Sequence, residues 1–284
     1  MQTRIEAIGL CLTMTFFCAM AEESPERGST AEVRGCSNIV STYVMIDGRH
    51  SDVQVPLQQI ASSPSWNPSN GEEIPLSVTQ AFRLATSEFQ RHFGDRENWR
   101  LEQLHLRPLC DDRWVYLFLY SPTTRGETGV AAVVVLMSGE VVPLDTAVPG
   151  RWAMAEESPE RARTAEVIGC HNIVNTIAWI DGRHSQGELV PLEQIASSPA
   201  WNPSKGEEIP LSVTEAFRLA TSELQRYVGG RENWALEGLA LRPLCDDRWA
   251  YSFSFLPMTR GEIGLANVGV QMSGEVVPLA VPDR

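Results

Sequence analysis

Two pairs of adjacent aspartates are the first residues of this sequence that could do acid–base chemistry or bind a metal ion. They are Asp111-Asp112 and Asp246-Asp247. Two carboxyl groups can share such chemistry only if they face the same space. Adjacent residues of a strand point to opposite faces, and aspartates are common in the turns between strands. We therefore interpret both pairs as turn residues, and predict no catalytic residue and no metal site.

A histidine that occurs twice in the same context is the second candidate. The segments Asp47–His50 and Asp181–His184 both read Asp-Gly-Arg-His. Asp-Gly is typical of a tight hairpin turn, so we interpret these histidines as solvated turn residues. Motifs of serine hydrolases, zinc peptidases, phosphate-binding loops and dinucleotide-binding folds do not occur. The sequence predicts a protein that is not an enzyme and has no cofactor, although scattered residues can also assemble a catalytic site.

The first 21 residues have the pattern of a secretory signal peptide. Arg4 precedes an apolar stretch from Ile8 to Phe17, and Ala19-Met20-Ala21 matches the A-x-A cleavage pattern. We expect residues 1–21 to be removed and the chain to be exported, either to a periplasm or to the outside. No other segment approaches the length of apolar sequence that a membrane helix needs, so we expect no membrane span in the mature chain.

Four cysteines remain after residues 1–21, and they allow three pairings. They are Cys36, Cys110, Cys170 and Cys245. An exported protein permits oxidation, and a bridge within each half of the chain is the simplest solution, so we expect Cys36–Cys110 and Cys170–Cys245. Each bridge would close a loop of roughly 75 residues and add about 4 kcal/mol in the chain-entropy model. The alternative is a nucleophilic cysteine, which needs a reduced thiol and a histidine partner.

The chain is a tandem duplication. Residues 19–27, AMAEESPER, recur at residues 153–161, and Cys36 and Cys110 have their counterparts in Cys170 and Cys245. We predict five segments. They are a signal peptide (1–21), an N-terminal extension (22–35), a first repeat (36–144), a linker (145–169) and a second repeat (170–280).

Each repeat contains one strong helix signal followed by strand signals. Ser77 with Gln80, and Ser212 with Glu215, form capping boxes directly ahead of apolar residues at spacings of three and four. Three strands are predicted after the first helix, at about 101–109, 114–120 and 130–137. We predict an α+β fold class, with two tandem copies of a helix packed on an antiparallel sheet.

The segments IPLSVTQAFRLA, WVYLFLY and VVVLMSGEVV, with their counterparts IPLSVTEAFRLA, WAYSFSF and VGVQMSGEVV, resemble the PepSY domain. This family is a small extracytoplasmic unit with a cystatin-like helix-on-sheet fold. The preceding strand, the tryptophan-containing loop and the cysteine pair depart from it. The resemblance implies non-catalytic binding, often to peptidases, with no catalytic residues to carry over.

The two repeats differ on one face of the predicted sheet. Alternation puts Trp114, Tyr116, Phe118 and Tyr120 on a core face. The opposite face of the first repeat carries four apolar residues, Leu117, Leu119, Val134 and Leu136. Their counterparts Ser252, Ser254, Gly269 and Gln271 predict a face exposed to water in the second repeat. We predict that the apolar face is an interface with the second repeat or with a partner protein, the alternative being neutral drift.

The formal net charge of −13 repels phosphate backbones, so we expect no nucleic-acid partner. We predict an exported non-enzymatic binding or modulatory protein that acts on a peptidase or another envelope or secreted protein. A secreted hydrolase and a structural component of an envelope assembly are the alternatives. The sequence leaves the oligomeric state and the identity of the protein partner open.

The disulfide prediction has a direct test. We expect thiol titration of the purified secreted chain under denaturing, non-reducing conditions to find no free thiol, and peptide mapping to find Cys36 linked to Cys110 and Cys170 linked to Cys245. One reactive thiol would instead favour the hydrolase alternative.

Overall fold

The computed structural model describes residues 39–46, 49–94, 99–123, 130–142, 176, 178–180, 183–185, 190–228, 234–245, 247–258 and 264–279. Side chains are not described in 39–46, 49–52, 178–180 and 183–185. The predicted signal peptide (1–21), N-terminal extension (22–35) and linker (145–169) lie outside the described residues, as do Cys36 and Cys170. These predictions stay predictions.

The first repeat contributes two helices and six strands among the described residues. In chain order they are β1 (Ile39–Ile46), β2 (Arg49–Gln54), α1 (Leu57–Ser62), α2 (Val78–Phe93), β3 (Trp99–Cys110), β4 (Arg113–Pro122), β5 (Ala131–Leu136) and β6 (Val141–Val142).

The second repeat contributes the same kinds of element in the same order. They are β7 (Ala178–Ile180), β8 (Arg183–Ser185), α3 (Leu192–Ser197), α4 (Val213–Val228), β9 (Trp234–Pro243), β10 (Trp249–Pro257), β11 (Gly264–Gln271) and β12 (Val276–Val277). A short 3-10 helix precedes the long helix of each repeat, at Pro68–Asn70 and Pro203–Lys205.

Local sequence explains where the long helices begin. The Ser77 side chain accepts a hydrogen bond from the backbone N–H of Gln80, and the Gln80 side chain accepts one from the backbone N–H of Ser77. This reciprocal bonding satisfies two N–H groups that a helix start leaves free, and it confirms the predicted capping box. In α4, the Ser212 side chain likewise accepts from the backbone N–H of Glu215.

Ten of these strands join into one antiparallel sheet that spans both repeats, while β1 and β2 pair in a separate two-stranded sheet. Its ten strands run in the order β6-β5-β4-β3-β9-β10-β11-β7-β8, with β12 also paired to β11. The repeats meet at β3 and β9, where Leu104 lies opposite Leu241, His105 opposite Ala240 and Leu106 opposite Leu239. His105 and Ala240 are counterparts in the two repeats, so an approximate twofold axis passes between them.

The predicted fold class, two tandem copies of a helix packed on an antiparallel sheet in a cystatin-like or PepSY-like α+β arrangement, is wrong. The finding that overturns it is the continuous ten-stranded sheet, which makes the protein far richer in sheet than that class and merges the two copies. The physical reason lies at the edge of each copy. Strand β3 or β9 alone would leave a row of unpaired backbone N–H and C=O groups, and pairing the two edges satisfies both rows.

The main core lies on one face of this sheet, here called the inner face, beneath α2 and α4. It includes the fully buried Phe118 and Phe253 and the predicted core residues Trp114, Tyr116 and Tyr120, so that sequence-based face assignment is confirmed. The opposite face of the sheet is called the outer face.

Two buried tyrosines tie the sheet to the start of each long helix. The Tyr116 hydroxyl donates to the Leu76 carbonyl at 2.5 Å, and the Tyr251 hydroxyl donates to the Leu211 carbonyl at 2.6 Å. Burial raises the pKa of both tyrosines well above the usual value. Both hydroxyls therefore remain protonated donors at physiological pH.

A reciprocal set of hydrogen bonds joins the repeats across the inner layer. The Glu72 carbonyl accepts from Trp66 Nε1 of its own repeat at 3.0 Å and from Thr214 Oγ1 of the other at 3.2 Å. The Glu207 carbonyl accepts from Trp201 Nε1 at 3.0 Å and from Thr79 Oγ1 at 3.1 Å. Each carbonyl thus uses both of its acceptor positions, one within its repeat and one across the junction.

The hydrogen bonds across the junction predict that replacing Thr79 and replacing Thr221 have different effects on stability. We expect Thr79→Val to lower the free energy of unfolding by about 0.5–1.5 kcal/mol, because it removes one buried hydrogen bond while Glu207 keeps its bond from Trp201. The measurement is urea unfolding followed by tryptophan fluorescence.

Thr221→Val is the matched control, because the Thr221 hydroxyl is buried without a hydrogen-bond partner among the described residues. We expect this control to be neutral or stabilising. An equal loss in both variants would contradict a role for the junction bond.

Candidate functional site

The four residues predicted as an interface lie on the outer face of the first repeat, beneath a segment of the same repeat. Leu117, Val134 and Leu136 are at most 2% exposed, and Leu119 is half-buried. They pack in one cluster with Val55 and Ile60, which lie just before and within α1. The chain's own residues therefore cover this apolar face, and it is not open to a partner in this conformation.

The hairpin turn between β3 and β4 holds α1 in that place. Arg113 donates to the carbonyl of Ala61 at 2.8 Å and also to that of Ser63, and so satisfies carbonyls at the end of α1. Asp111 and Asp112 form the turn itself, with φ angles of 46° and 56°, and both side chains are exposed. Two left-handed residues are what a two-residue hairpin turn requires, which explains the aspartate pair structurally.

The outer face of the second repeat carries what we call the polar strip, formed by Ser252, Ser254, Asn267 and Gln271. Ser254 pairs with Asn267, and Ala250 pairs with Gln271, across β10 and β11. The sequence predicted that this face is exposed to water, and that prediction is wrong for the part of the strip that contains Ser252 and Gln271. Gln271 is 0% exposed and Ser252 is 8% exposed.

Burial along the polar strip increases in one direction. Ser254 and Asn267 are half-buried at one end, and Gln271 is fully buried at the other. A small apolar cluster closes the buried end of the strip. It consists of Val190, Ile195, Leu244, Cys245, Ala250 and Val277. The strip is therefore approached from the end where Ser254 and Asn267 lie.

Several polar atoms of the strip have no hydrogen-bond partner among the described residues. Asn267 Oδ1, Gln271 Oε1 and Gln271 Nε2 are buried and make no hydrogen bond within the described part of the chain. Leaving a buried donor or acceptor unsatisfied costs about 1–3 kcal/mol. The first repeat avoids this cost, because the counterparts of Asn267 and Gln271 are Ala132 and Leu136. Unpaired polar groups at such positions indicate a hydrogen-bonding ligand or ordered water.

The cysteines are divided between described and undescribed residues. Cys110 ends β3 and is half-buried, and Cys245 is buried just after β9. Their predicted partners Cys36 and Cys170 lie outside the described residues, so both pairings stay predictions. The repeated histidines, His50 in β2 and His184 in β8, lie where side chains are not described.

Other features of the described residues offer less chemistry. Those residues contain no group of three histidine, cysteine, aspartate or glutamate side chains that could hold a metal ion. A groove of about 430 Å³ is lined by Gln54, Pro56, Leu57 and Gln58, none of which titrates or acts as a nucleophile. None of the helices described is long and apolar enough to cross a membrane.

Comparison with known proteins adds one weak likeness. No protein-family model matches the chain. No curated protein matches it either. Among solved structures, the chain is similar to a 12:0-ACP thioesterase from Umbellularia californica, with 13% sequence identity and a TM-score of 0.20 over 71% of this chain and 86% of that one. A likeness at that TM-score supports no conclusion about fold or function.

Sequence reasoning identified the polar residues of the second repeat but missed their burial. The signal that marks them is the difference between the repeats, since a polar residue stands where the other copy has a core residue. Alternation of apolar and polar residues distinguishes the two faces of a strand, but it does not show which other parts of the chain pack on each face. The burial of Gln271 could therefore not be predicted from it.

Exchanging residues between the repeats tests the strip. We expect Gln271→Leu to raise the free energy of unfolding by about 1–3 kcal/mol, because it removes two unpaired polar atoms from a buried site. The reciprocal change, Leu136→Gln, should lower it by about 1–3 kcal/mol. Chemical unfolding monitored by circular dichroism measures both. A Gln271→Leu variant less stable than the parent would show that Gln271 is already well satisfied.

Proposed function

We propose that this chain is an exported, non-enzymatic binding or modulatory protein whose binding surface is the outer face of the shared sheet. The single observation that supports this is the polar strip. Asn267 and Gln271 present buried polar atoms that have no hydrogen-bond partner in the described part of the chain, at positions where the first repeat is apolar. A ligand that donates and accepts hydrogen bonds would satisfy those atoms, and its binding would recover the free energy that their burial costs.

The difference between the repeats supports different roles for the two repeats. In the first repeat, the outer face packs beneath Val55 and Ile60 and contributes to stability. In the second, the corresponding apolar cluster is smaller as far as the described residues show, and the strip beside it is polar. The first repeat thus acts as the scaffold and the second as the binding half, and the two are joined by the pairing of β3 with β9.

The chemistry of the strip favours recognition over catalysis. Ser252, Ser254, Asn267 and Gln271 are neutral at physiological pH, and no titratable side chain belongs to the strip. General acid–base catalysis needs a group that titrates within reach of the substrate, and nucleophilic catalysis needs an activated nucleophile. The partner class, a peptidase or another envelope or secreted protein, rests on the PepSY resemblance of the sequence. Export rests on the signal-peptide pattern of residues 1–21.

The test is affinity capture from culture fluid or envelope extract of the producing cells. We expect the mature protein to retain a partner that the double variant Asn267→Ala/Gln271→Leu, carrying the residues of the first repeat, loses. The exposed substitution Lys205→Gln is the matched control and should retain the partner. The free energy of unfolding of each variant is measured as well. We expect the double variant to be at least as stable as the parent, so a lost partner would reflect the changed surface and not unfolding.

Two results would overturn the proposal. One is retention of the same partner by the double variant. The other is turnover of a substrate by the purified protein, which would move the function to the hydrolase alternative.

A further inference from the structure

The centre of the outer face, where the twofold axis crosses the sheet, carries a pair of equivalent arginines. His105 and Ala240 lie opposite each other at the axis. Arg107 lies two residues beyond His105 on β3, and its counterpart Arg242 lies two residues beyond Ala240 on β9. Leu104, Leu106, Leu239 and Leu241 point into the inner core, so alternation places His105, Arg107, Ala240 and Arg242 on the outer face.

The register places Arg107 and Arg242 on opposite sides of His105. The strands are antiparallel, so the two arginines approach the axis from opposite directions, with their α-carbons about 14 Å apart. Both positive charges act on the His105 side chain between them. Burial first, and then Arg107 and Arg242, lower the pKa of His105 to about 4. The imidazole is therefore neutral at physiological pH, and the two arginines supply the positive charge.

Neither arginine has a counter-ion among the described residues. The ion pairs of that part of the chain link other arginines, Arg91 to Glu88, Arg218 to Glu215 and Arg226 to Glu223. Arg242 Nε is buried and makes no hydrogen bond to any described residue. The half-buried Arg107 and Arg242 thus have no ion-pair partner among the described residues, in a protein of net charge −13.

The described residues that pair with these two strands around the centre are otherwise neutral. On β3, Gln103 Oε1 lies 2.9 Å from His105 Nε2. On the neighbouring strands, His105 faces Leu117 of β4, and Ala240 faces Ser252 of β10. The nearest acidic residues along the two strands, Glu102 and Glu237, occupy irregular positions where the strand pairing shifts, and neither forms an ion pair with the arginines.

We infer that this centre is an oxyanion-binding site, in which Arg107 and Arg242 hold a carboxylate, sulfate or phosphate group from opposite sides of the twofold axis. Guanidinium groups present planar sets of donors that match the oxygens of such groups, and half-buried charge pairs are screened less than exposed ones. His105 lies between them and can donate a further hydrogen bond when it is protonated. The inference deepens the proposed function, on which it rests, by giving the ligand of the outer face a negative charge next to the polar strip.

The experiment follows the imidazole signal of His105 by NMR in the full mature chain, assigned with a His105→Ala variant that copies Ala240. Sodium acetate and sodium sulfate are titrated separately at pH 6.5, with sodium chloride at matched ionic strength as reference. We expect at least one of the two anions to shift the His105 signal along a saturating curve that chloride does not produce. Saturation by acetate identifies a carboxylate ligand, and tighter saturation by sulfate identifies a sulfate or phosphate group.

Variants separate the site from general screening. Arg107→Gln and Arg242→Gln should each weaken the binding at least about tenfold, the loss expected for one charge-assisted contact of about 1.4 kcal/mol or more. Arg100→Gln, at an exposed position near the start of the same strand, should leave it unchanged. The pKa of His105 offers a second readout, since an anion that binds the protonated form about tenfold more tightly raises that pKa by about one unit.

Three results would overturn the inference. They are a linear shift equal to that of chloride in the unmodified protein, saturation that persists in both arginine variants, and an unchanged pKa of His105 at saturating anion. The first needs no variant, so the inference stays falsifiable even if an arginine variant does not fold. If partner capture depends on the polar strip but no anion binds, this inference is wrong and the proposed function is unaffected.

Discussion

The pairing of β3 with β9 is the interaction on which the rest of the structure depends. Each repeat ends its own sheet at this strand, and a free edge would expose unpaired backbone groups that favour association with other chains. Pairing the edges of two copies within one chain satisfies those groups internally. It also aligns Leu104 and Leu106 with Leu241 and Leu239, so that one apolar layer continues across the junction beneath both long helices.

The same pairing places the functional candidates. It sets His105 against Ala240 at the twofold axis and brings Arg107 and Arg242 to the centre of the outer face. It also makes the second repeat's polar strip part of a surface that continues from the first. The reciprocal bonds from Thr79 and Thr214 to the carbonyls of Glu207 and Glu72 repeat this symmetry in the helical layer, so the two halves are joined both within the sheet and in the layer above its inner face.

Duplication explains why the two repeats can differ in chemistry without losing the fold. Both retain the elements that build the inner core, such as the paired tryptophans Trp66 with Trp114 and Trp201 with Trp249, whose ring centroids lie 5.2 and 5.4 Å apart. Aromatic burial of this kind contributes a large share of core stability. The outer face of one copy is then free to carry polar residues such as Gln271, because the other copy keeps a full apolar cluster around Leu136.

Sequence alone determined the local features of this protein. The capping boxes at Ser77 and Ser212 and the alternation through Tyr116 and Phe118 predicted the helix starts and the core face, because these signals depend on residues close together in the chain. The difference between Leu136 and its counterpart Gln271 marked where the repeats diverge. These local signals also favoured two separate helix-on-sheet units, a conclusion that nothing within one repeat could correct.

Only the tertiary structure decided how the copies combine and what each face meets. Whether an edge strand stays exposed or pairs depends on a partner more than a hundred residues away, and no periodicity encodes that choice. The burial of Gln271, the covering of Leu117 by Val55 and Ile60, and the placement of Arg107 and Arg242 on either side of His105 were not visible in the local sequence. The arginine centre lies where two distant segments meet, which is why spacing along the chain did not reveal it.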